Sequence, residues 1–258
     1  MTRAIRARVF NRLQRASGPP RWRAACLYFG AGCLAVSDFR GPSLARWEAY
    51  TDDTTGLLRW EEDLYGRVIR PSDRVLLIGC GTGRDLLALR QQGCDVTGLE
   101  QSATLAEQAR TRLSRSGLTT AVIAMPVESF ASDDVFDVVV FAPYTYSYIL
   151  GTGSRVRILR RMCERLSPGG KVIITYAALR TQSPLWILLA RISSVCARSD
   201  WWPEPGDRIH SLDSNRRALA FEHQFLPDEL AHECGSAGLR VERDEAISSF
   251  FRFAVASA

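Results

Sequence analysis

The chain has 258 residues, of which 46% are hydrophobic, and a formal net charge of +5. This length and composition favour one sizeable core, so a single α/β domain with appendages is expected rather than two domains. No run of 18 or more apolar residues is present, so no segment is obliged to span a membrane. Seven cysteines without a CxxC pair, beside only three histidines, argue against a disulfide framework and against a metal site. The composition therefore predicts a cytoplasmic protein without a bound metal.

The positive charge is concentrated at the start of the chain. Seven arginines precede the first acidic residue, Asp38, so residues 1–37 carry +7 and the remainder carries −2. Nucleic-acid-binding proteins normally present a basic face, so the acidic remainder argues against a nucleic acid partner. Three interpretations of residues 1–37 stay open: a helical lid over a ligand site, a peripheral membrane contact and a targeting sequence. We favour the lid, because the apolar segment 24–36 is too short to span a bilayer.

Residues 43–70 are predicted to be helical, because apolar side chains recur there at helical spacing. Pro71 and Asp73 are typical of a turn and end this segment before the first strand. We therefore divide the chain into a helical cap, residues 1–70, and a core, residues 71–258.

The next segment predicts a strand, a glycine-rich turn and a helix. An apolar run at 75–78 is followed by the turn and by leucines at helical spacing, namely Gly79, Cys80, Gly81, Thr82, Gly83, Leu86, Leu87 and Leu89. Backbone without Cβ atoms makes a tight turn and lets a ligand lie against it. Residues 95–100 predict a buried strand ending in Glu100, whose carboxylate is placed to accept hydrogen bonds from the two hydroxyls of a ribose. Together the two segments predict a nucleoside cofactor.

The spacing of the glycines separates two classes of cofactor. A dinucleotide fingerprint places Gly or Ala at position 84, where this chain has Arg84. Glycines at every second position, with an acidic residue closing the next strand, resemble the first motif of class I S-adenosylmethionine-dependent methyltransferases. The resemblance implies S-adenosyl-L-methionine as the cofactor and S-adenosyl-L-homocysteine as the product. It assigns cofactor binding to Gly79, Cys80, Gly81, Thr82, Gly83, Asp85, Glu100 and Gln101.

Two positions depart from the pattern of that family. Leu77 stands where many members carry an acidic residue before the first glycine, and Pro126 stands at the usual position of an aspartate near the adenine. The resemblance then leaves Glu128 as the carboxylate for the adenine amino group and Val127 as a contact of the ring. A solvated, helix-capping role is the alternative for Glu128.

Residues 136–141 predict a fully apolar strand of the kind that is buried in a parallel sheet. Ala142 follows at the edge where open α/β folds place their ligands. Methyltransferases of nucleobase amino groups often carry Asp or Asn at this point, so Ala142 disfavours that chemistry and is expected to border the cofactor. Residues 166–176, LSPGGKVIITY, closely resemble the turn and fifth strand of the family. The resemblance implies a doubly wound (Rossmann-like) α/β fold with a seven-stranded, mostly parallel sheet and an antiparallel last strand.

Residues 177–220 depart from the minimal fold. An apolar helix over 183–197 is followed by a loop at 201–210 that contains two prolines. Insertions between the strands of a cofactor-binding core usually select the substrate, and we predict that role here. Packing of its tryptophans in the core and a peripheral membrane contact through 184–197 are the alternatives. Elsewhere, helices are predicted over 102–116 and 156–166, and a strand, a helix and two strands from 221 onwards.

The resemblance implies an in-line displacement, in which a substrate nucleophile takes the methyl group of the sulfonium. The protein aligns the reactants and excludes water, and it needs a base only if the nucleophile keeps its proton at neutral pH. His223 and His210 are the candidates for that base, Tyr146 is predicted to face the reacting methyl group, and Tyr50 to close over the sulfonium. We expect O- or N-methylation of a small-molecule metabolite. A non-catalytic methyltransferase-like subunit and an NAD(P)-dependent oxidoreductase are the alternative functions.

Overall fold

The computed structural model describes residues 28–40, 48, 56–180, 182–211 and 219–258. Tyr50 and the arginine-rich residues 1–27 lie outside the described residues, so their predicted roles stay predictions. The chain folds into two compact units. The first contains the described residues before position 50 together with those of 179–226, and the second contains those of 51–178 and 227–258.

Strands and helices alternate along most of the chain. The strands are β1 (Arg74–Ile78), β2 (Asp95–Glu100), β3 (Val122–Ala124), β4 (Phe136–Phe141), β5 (Leu166–Ala178), β6 (Asp207–Ser211), β7 (Leu219–Phe225), β8 (Arg240–Ala246) and β9 (Phe251–Ser257). The helices are α1 (Arg59–Val68), α2 (Arg84–Gln91), α3 (Ala103–Arg115), α4 (Thr152–Cys163), α5 (Pro184–Ala197) and α6 (Glu229–Ser236). The elements α5, β6 and β7 belong to the first unit, and the others belong to the second.

The sheet of the second unit has the strand order β3-β2-β1-β4-β5-β9-β8. The first five of these strands are parallel. The last strand of the chain, β9, is antiparallel to both of its neighbours. The predicted fold, seven mostly parallel strands with an antiparallel last strand, is therefore confirmed.

The parallel strands are buried on both faces. Val75, Leu76 and Leu77 of β1 have no exposed surface, and consecutive strand residues point to opposite faces, so both faces must be covered. On one face, the side chains of Val75 and Leu77 belong to the same apolar cluster as Leu86 of α2 and Ala106 of α3. The apolar run of β1 therefore has the burial that its sequence predicts.

The helix α1 is shorter than predicted. Within the described residues, the predicted helix over 43–70 fails at 56–58, because Gly56 has a φ of +77° and Leu58 is extended. The backbone N–H of Leu58 donates a hydrogen bond of 2.7 Å to the carboxylate of Glu61, which fixes the start of α1 at Arg59.

Two further helices test the predicted boundaries. The helix α3 is as predicted: Ser102 caps it by accepting a hydrogen bond from the Leu105 N–H, and it ends before Gly117. The helix α4 lies earlier than the predicted 156–166, because Leu166 pairs with Phe136 as the first residue of β5.

The first unit contains a hairpin and an apolar core of its own. The strands β6 and β7 pair antiparallel, so the predicted loop at 201–210 is wrong from Asp207 onwards. The ring of Phe39 lies 5.4 Å from that of Trp201 and 5.7 Å from that of Phe221. Trp201 therefore packs in this core, which agrees with the alternative that tryptophans of the insertion are core residues. No helix among the described residues has the length and apolar character needed to cross a bilayer.

Candidate active site

The carboxyl ends of neighbouring parallel strands bring the predicted cofactor residues to one edge of the sheet. Ile78, the last residue of β1, is in register with Leu99 of β2 and with Phe141 of β4. The residues that come next in the chain therefore lie at the same level, namely Gly79, Glu100 and Ala142. Ligands of open α/β sheets bind outside this edge.

The three glycines of the loop have different surroundings. A Cβ atom at Gly79 would lie 2.1 Å from Oγ1 of Thr145, and one at Gly83 would lie 2.9 Å from Cα of Ala109. These two glycines allow the loop to pack closely against the rest of the second unit. A Cβ atom at Gly81, where φ is +53°, would meet no atom of the described residues within 4 Å. The loop therefore has open space beside Gly81, as a cradle for a ligand requires.

The carboxylate of Glu100 is held by two backbone donors. One oxygen accepts a hydrogen bond of 2.9 Å from the N–H of Gly81, and the other accepts one of 3.0 Å from the N–H of Ser102. An ionised carboxylate offers about four acceptor positions, so its chemistry also suits the two hydroxyls of a ribose. The predicted pair of glycine loop and acidic residue is thus assembled, with Gln101 exposed beside it.

The other residues of the loop edge are mostly buried. Cys80 is buried, and this burial raises the pKa of its thiol, so the thiol stays protonated at neutral pH. Ala142 is buried after β4, where its N–H donates a hydrogen bond of 3.0 Å to the carbonyl of Ile78. Thr82 is half-buried. A direct cofactor contact from each of these three residues stays a prediction.

A cluster of charged side chains joins α1 to the glycine loop. The guanidinium of Arg84 donates to the carboxylate of Asp85 at 2.7 Å and to that of Glu61 at 2.5 Å. The other oxygen of Asp85 accepts a hydrogen bond of 3.2 Å from the hydroxyl of Tyr65. Asp85 was predicted to bind the cofactor, but both of its oxygens are used in this buried cluster. Its placement favours an indirect role, in which it holds Arg84 and the loop in position.

Burial shifts the ionisation of this cluster. Desolvation, followed by the nearby charge of Asp85, raises the pKa of Glu61 from its ordinary 4.5 to about 7. The same two causes raise the pKa of Tyr65 well above its ordinary value, so its hydroxyl remains a hydrogen-bond donor. Glu61 therefore changes charge near neutral pH at a position that contacts the loop through Arg84.

The predicted adenine contacts lie in a short 3₁₀ turn, Val127–Ser129. The side chain of Arg161 fixes this turn by donating hydrogen bonds to the carbonyls of Glu128 at 3.1 Å and Phe130 at 2.6 Å. Val127 and Glu128 are both half-buried. The position after β3 fits the predicted role, which stays a prediction for both side chains.

Aromatic rings lie at the carboxyl edge of β4 and β5. Tyr144 and Tyr148 are predicted to face the reacting methyl group, whereas Phe251 and Trp60 are not predicted as site residues. Phe251, which pairs with Ala177 near the carboxyl end of β5, stacks on Tyr144 with ring centroids 4.3 Å apart. The ring of Trp60 in α1 is nearly perpendicular to that of Phe251, with centroids 5.9 Å apart, and the ring centroids of Tyr148 and Tyr144 are 6.5 Å apart. The predicted antiparallel last strand could have identified Phe251, because the first residue of an antiparallel strand lies at the carboxyl edge of its parallel neighbour.

Tyr146 lies beside a buried ion pair. Its side chain has no exposed surface, and its hydroxyl donates a hydrogen bond of 2.7 Å to the carboxylate of Glu233, which also forms an ion pair of 2.7 Å with Arg155. Burial and the charge of Glu233 raise the pKa of Tyr146 well above its ordinary value. This pairing favours a structural role for the hydroxyl, and the position opposite the reacting methyl group stays a prediction.

The two predicted histidines lie in the first unit and differ in burial. His210 of β6 is exposed, whereas His223 of β7 is fully buried. Nδ1 of His223 lies 2.8 Å from Oδ1 of Asp207, a distance that fits a tautomer with the proton on Nδ1. Burial raises the pKa of Asp207, and the hydrogen bond to His223 opposes that shift. His223 thus has the orienting partner that a general base requires.

The same pair belongs to a group with the spacing of metal ligands. Ligand atoms of Glu204, Asp207 and His223 lie within 4.8 Å of one another. However, Oδ2 of Asp207 accepts a hydrogen bond of 2.8 Å from the N–H of Glu204, and Oδ1 pairs with His223. Internal hydrogen bonds thus already account for the Asp207 carboxylate, and a metal ion would have to displace them.

Known methyltransferases resemble this chain both in sequence, over a range that includes the glycine loop, and in fold. Residues 75–170 match the family profile described as a methyltransferase domain. This range begins in β1 and includes the glycine loop, Glu100 and the turn near Glu128. This match supports the predicted resemblance to class I S-adenosylmethionine-dependent methyltransferases for this part of the chain.

Relatives with different activities share this domain. A carboxy-S-adenosyl-L-methionine synthase of Vibrio cholerae is 23% identical over 64% of this chain, which spans 65% of the length of that relative. A ubiquinone biosynthesis O-methyltransferase of Bordetella avium is 29% identical over 70% of this chain and 67% of its own length. A solved SAM-dependent methyltransferase of Methanosarcina mazei has the same fold, with a TM-score of 0.61 and 19% identity over 78% of this chain and 97% of its own.

Proposed function

We propose that the chain binds S-adenosyl-L-methionine and transfers its methyl group to an oxygen or nitrogen atom of a small molecule. The observation that carries this proposal is the hydrogen bond between Gly81 and Glu100 beside open space at the loop. It joins the ribose acceptor to the turn that would receive the methionine end of the cofactor. The related ubiquinone biosynthesis O-methyltransferase supports a small-molecule acceptor.

The residues of the second unit supply binding and orientation. Glu100 would hold the ribose, and Val127 and Glu128 would hold the adenine. The bound cofactor supplies an activated methyl group, so the protein has to align the acceptor and exclude water. The rings of Tyr144 and Phe251 offer apolar surface at the edge of the sheet, where an acceptor would lie.

His223 is the candidate base. A hydroxyl or ammonium acceptor must lose its proton, and Nε2 of an oriented His223 would take it. Asp207 would hold the ring and favour the charged imidazolium once the proton has moved. The roles of residues 1–70 as a cap and of 177–220 in substrate selection belong to this proposal, as does a cytoplasmic location.

A screen with S-adenosyl-L-methionine labelled in its methyl group tests the function without assuming an acceptor. Purified protein is incubated with extracts separated into metabolite, protein and nucleic acid fractions. We expect label in the metabolite fraction with the wild type and with Glu107→Ala. Glu100→Ala should give at least about tenfold less label, because the ribose hydroxyls would lose their charged acceptor. A tenfold loss of affinity corresponds to about 1.4 kcal/mol of binding free energy. Label confined to protein or nucleic acid would contradict the proposed acceptor class.

The non-catalytic subunit remains the second candidate, because Leu77 and Pro126 replace acidic residues of the family pattern. It predicts that S-adenosyl-L-homocysteine binds the protein while no fraction of the extract becomes labelled. The same screen, combined with a binding titration, therefore separates the two functions.

A further inference from the structure

The helix α5 of the first unit has an exposed apolar stripe. Leu185, Leu188, Ile192 and Val195 are 54%, 54%, 47% and 66% exposed. Their spacing of three, four and three residues places them on one side of the helix. The opposite side is covered, because Ile187, Ala190, Ser193 and Ser194 are buried. A helix that is apolar on both sides needs a partner for its exposed side.

The charges around this stripe are positive. The helix has no acidic residue, and Arg191 is the single charged residue within it. Arg198 follows the helix directly, and Arg180 lies four residues before its first residue in the sequence. The first unit as a whole, residues 1–50 and 179–226, has 15 arginines against seven acidic residues, a formal net charge of +8. By difference from +5, the second unit carries −3. The basic charge and the apolar stripe thus belong to the same unit.

A tryptophan accompanies the stripe. Trp202 is 56% exposed, and the guanidinium of Arg191 lies 5.2 Å from its ring centroid. The Nε of Arg191 donates a hydrogen bond of 2.9 Å to the carbonyl of Pro203, which holds the guanidinium in place. Exposed tryptophan and arginine side chains are typical of proteins that lie at the boundary between lipid headgroups and acyl chains.

We propose that α5 and Trp202 form a docking surface for an anionic lipid bilayer. The helix has 14 residues and a length of about 21 Å, so it cannot span a bilayer and lies in the plane of the interface. Its leucine, isoleucine and valine side chains enter the acyl region, and the arginines contact anionic headgroups. A second copy of the chain is disfavoured as the occupant, because it would bring arginines of the same stripe together.

The charge of the N-terminal sequence supports the same partner. Residues 1–37 contain seven arginines before the first acidic residue. Each basic residue near an anionic surface adds about 1 kcal/mol of attraction, and stable binding usually needs two signals, one apolar and one basic. Within the described residues, the apolar stripe and Arg191 beside it supply both signals. This proposal does not depend on methyl transfer, and either can fail without the other.

Vesicle flotation of the full chain tests the proposal. The protein is mixed with vesicles of phosphatidylcholine alone or of equal parts phosphatidylcholine and phosphatidylglycerol. We expect the wild type to float with the anionic vesicles and to be released from them by high salt. The double variant Leu188→Glu, Ile192→Glu should bind at least tenfold more weakly, because it places carboxylates on the apolar stripe. The matched control, Val135→Glu, adds a charge at an exposed apolar position of the second unit and should float like the wild type.

Circular dichroism and urea unfolding of each variant show that the chain is folded, without relying on ligand binding. The proposal is overturned if the wild-type protein stays at the bottom of the gradient while the anionic vesicles float. Equal flotation of the double variant and the wild type also overturns it. A third outcome would also overturn the proposal. If the wild type does not float but forms a stable dimer in light scattering, and the double variant stays monomeric, the stripe binds a second copy of the chain.

Discussion

The N–H of Gly81 donates a hydrogen bond of 2.9 Å to the carboxylate of Glu100, which joins the centre of the glycine loop to the carboxyl end of the neighbouring strand. In the proposed function, this contact would place the ribose of the cofactor beside the loop. The second oxygen of Glu100 is anchored by Ser102, the cap of α3, so the orientation of the carboxylate depends on two elements. Hydrogen bonds therefore hold the loop and the carboxylate of Glu100 in a fixed arrangement.

Replacing Glu100 with alanine should weaken the binding of S-adenosyl-L-methionine. The loss should be about 1–3 kcal/mol, because ribose hydroxyls would lose a charged acceptor. Calorimetric titration measures the affinity, and Glu107→Ala, an exposed carboxylate of α3, provides the control with unchanged affinity. Equal affinities of Glu100→Ala and Glu107→Ala would remove Glu100 from the proposed site.

Alanine at Gly81 should mainly weaken cofactor binding, whereas alanine at Gly83 should mainly reduce stability. At Gly81 a Cβ atom meets only open space, so we expect a stability loss of about 1 kcal/mol from the left-handed backbone and at least about a tenfold loss of affinity. At Gly83 it collides with the backbone of Ala109, so the loss of unfolding free energy should reach about 2–4 kcal/mol. Urea unfolding and titration of both variants test this contrast. An unaltered affinity in Gly81→Ala would show that the cofactor does not lie against the loop.

Replacing Glu61 with glutamine should change how stability depends on pH. The pKa of Glu61 is raised from 4.5 to about 7, so between these values the folded chain binds more protons than the unfolded chain. The free energy of unfolding should then fall as the pH rises from about 4.5 to about 7, and the neutral amide should reduce that slope. Urea unfolding of both proteins at several pH values measures the difference. Identical slopes would mean that Glu61 does not titrate in this range.

The change Tyr146→Phe should reduce stability and leave cofactor affinity unchanged. It removes a buried hydrogen bond to the ionised Glu233, which corresponds to about 1–3 kcal/mol of unfolding free energy. Thermal or urea unfolding measures the loss. A large loss of turnover at unchanged stability would instead restore the predicted position opposite the methyl group.

His223→Ala and Asp207→Asn should lower turnover if His223 is the base. We expect a loss of about 10²-fold or more in His223→Ala, with unchanged cofactor affinity, and a smaller loss in the same direction in Asp207→Asn. His210→Ala serves as the comparison, because that side chain is exposed. A loss of stability without a loss of turnover would identify the buried pair as structural.

The sequence predicted the elements that depend on neighbouring residues. The glycine loop, the strand ending in Glu100 and the cap at Ser102 are patterns of a few residues, and the structure has them where expected. Apolar runs such as 136–141 predict a buried parallel strand for the same reason, because a strand covered on both faces needs no polar alternation.

Features that depend on distant residues were missed. Glu61 and Arg84 are 23 positions apart, and neither residue alone indicates an ion pair beside the loop. Tyr146 follows a strand at the site edge, but its hydroxyl is paired with Glu233, 87 positions away in α6. Residues 207–211 contain a single apolar side chain, Ile209, so their sequence does not reveal a strand before its partner β7 is known.

The central claim is that the glycine loop and Glu100 bind S-adenosyl-L-methionine, and one titration tests it most directly. The full chain is titrated with S-adenosyl-L-homocysteine, the stable product, and in parallel with NAD⁺ and NADP⁺. We predict binding of one S-adenosyl-L-homocysteine per chain, at least tenfold weaker binding in Gly81→Ala, and no binding of either dinucleotide. Binding of a dinucleotide without binding of S-adenosyl-L-homocysteine would contradict the claim.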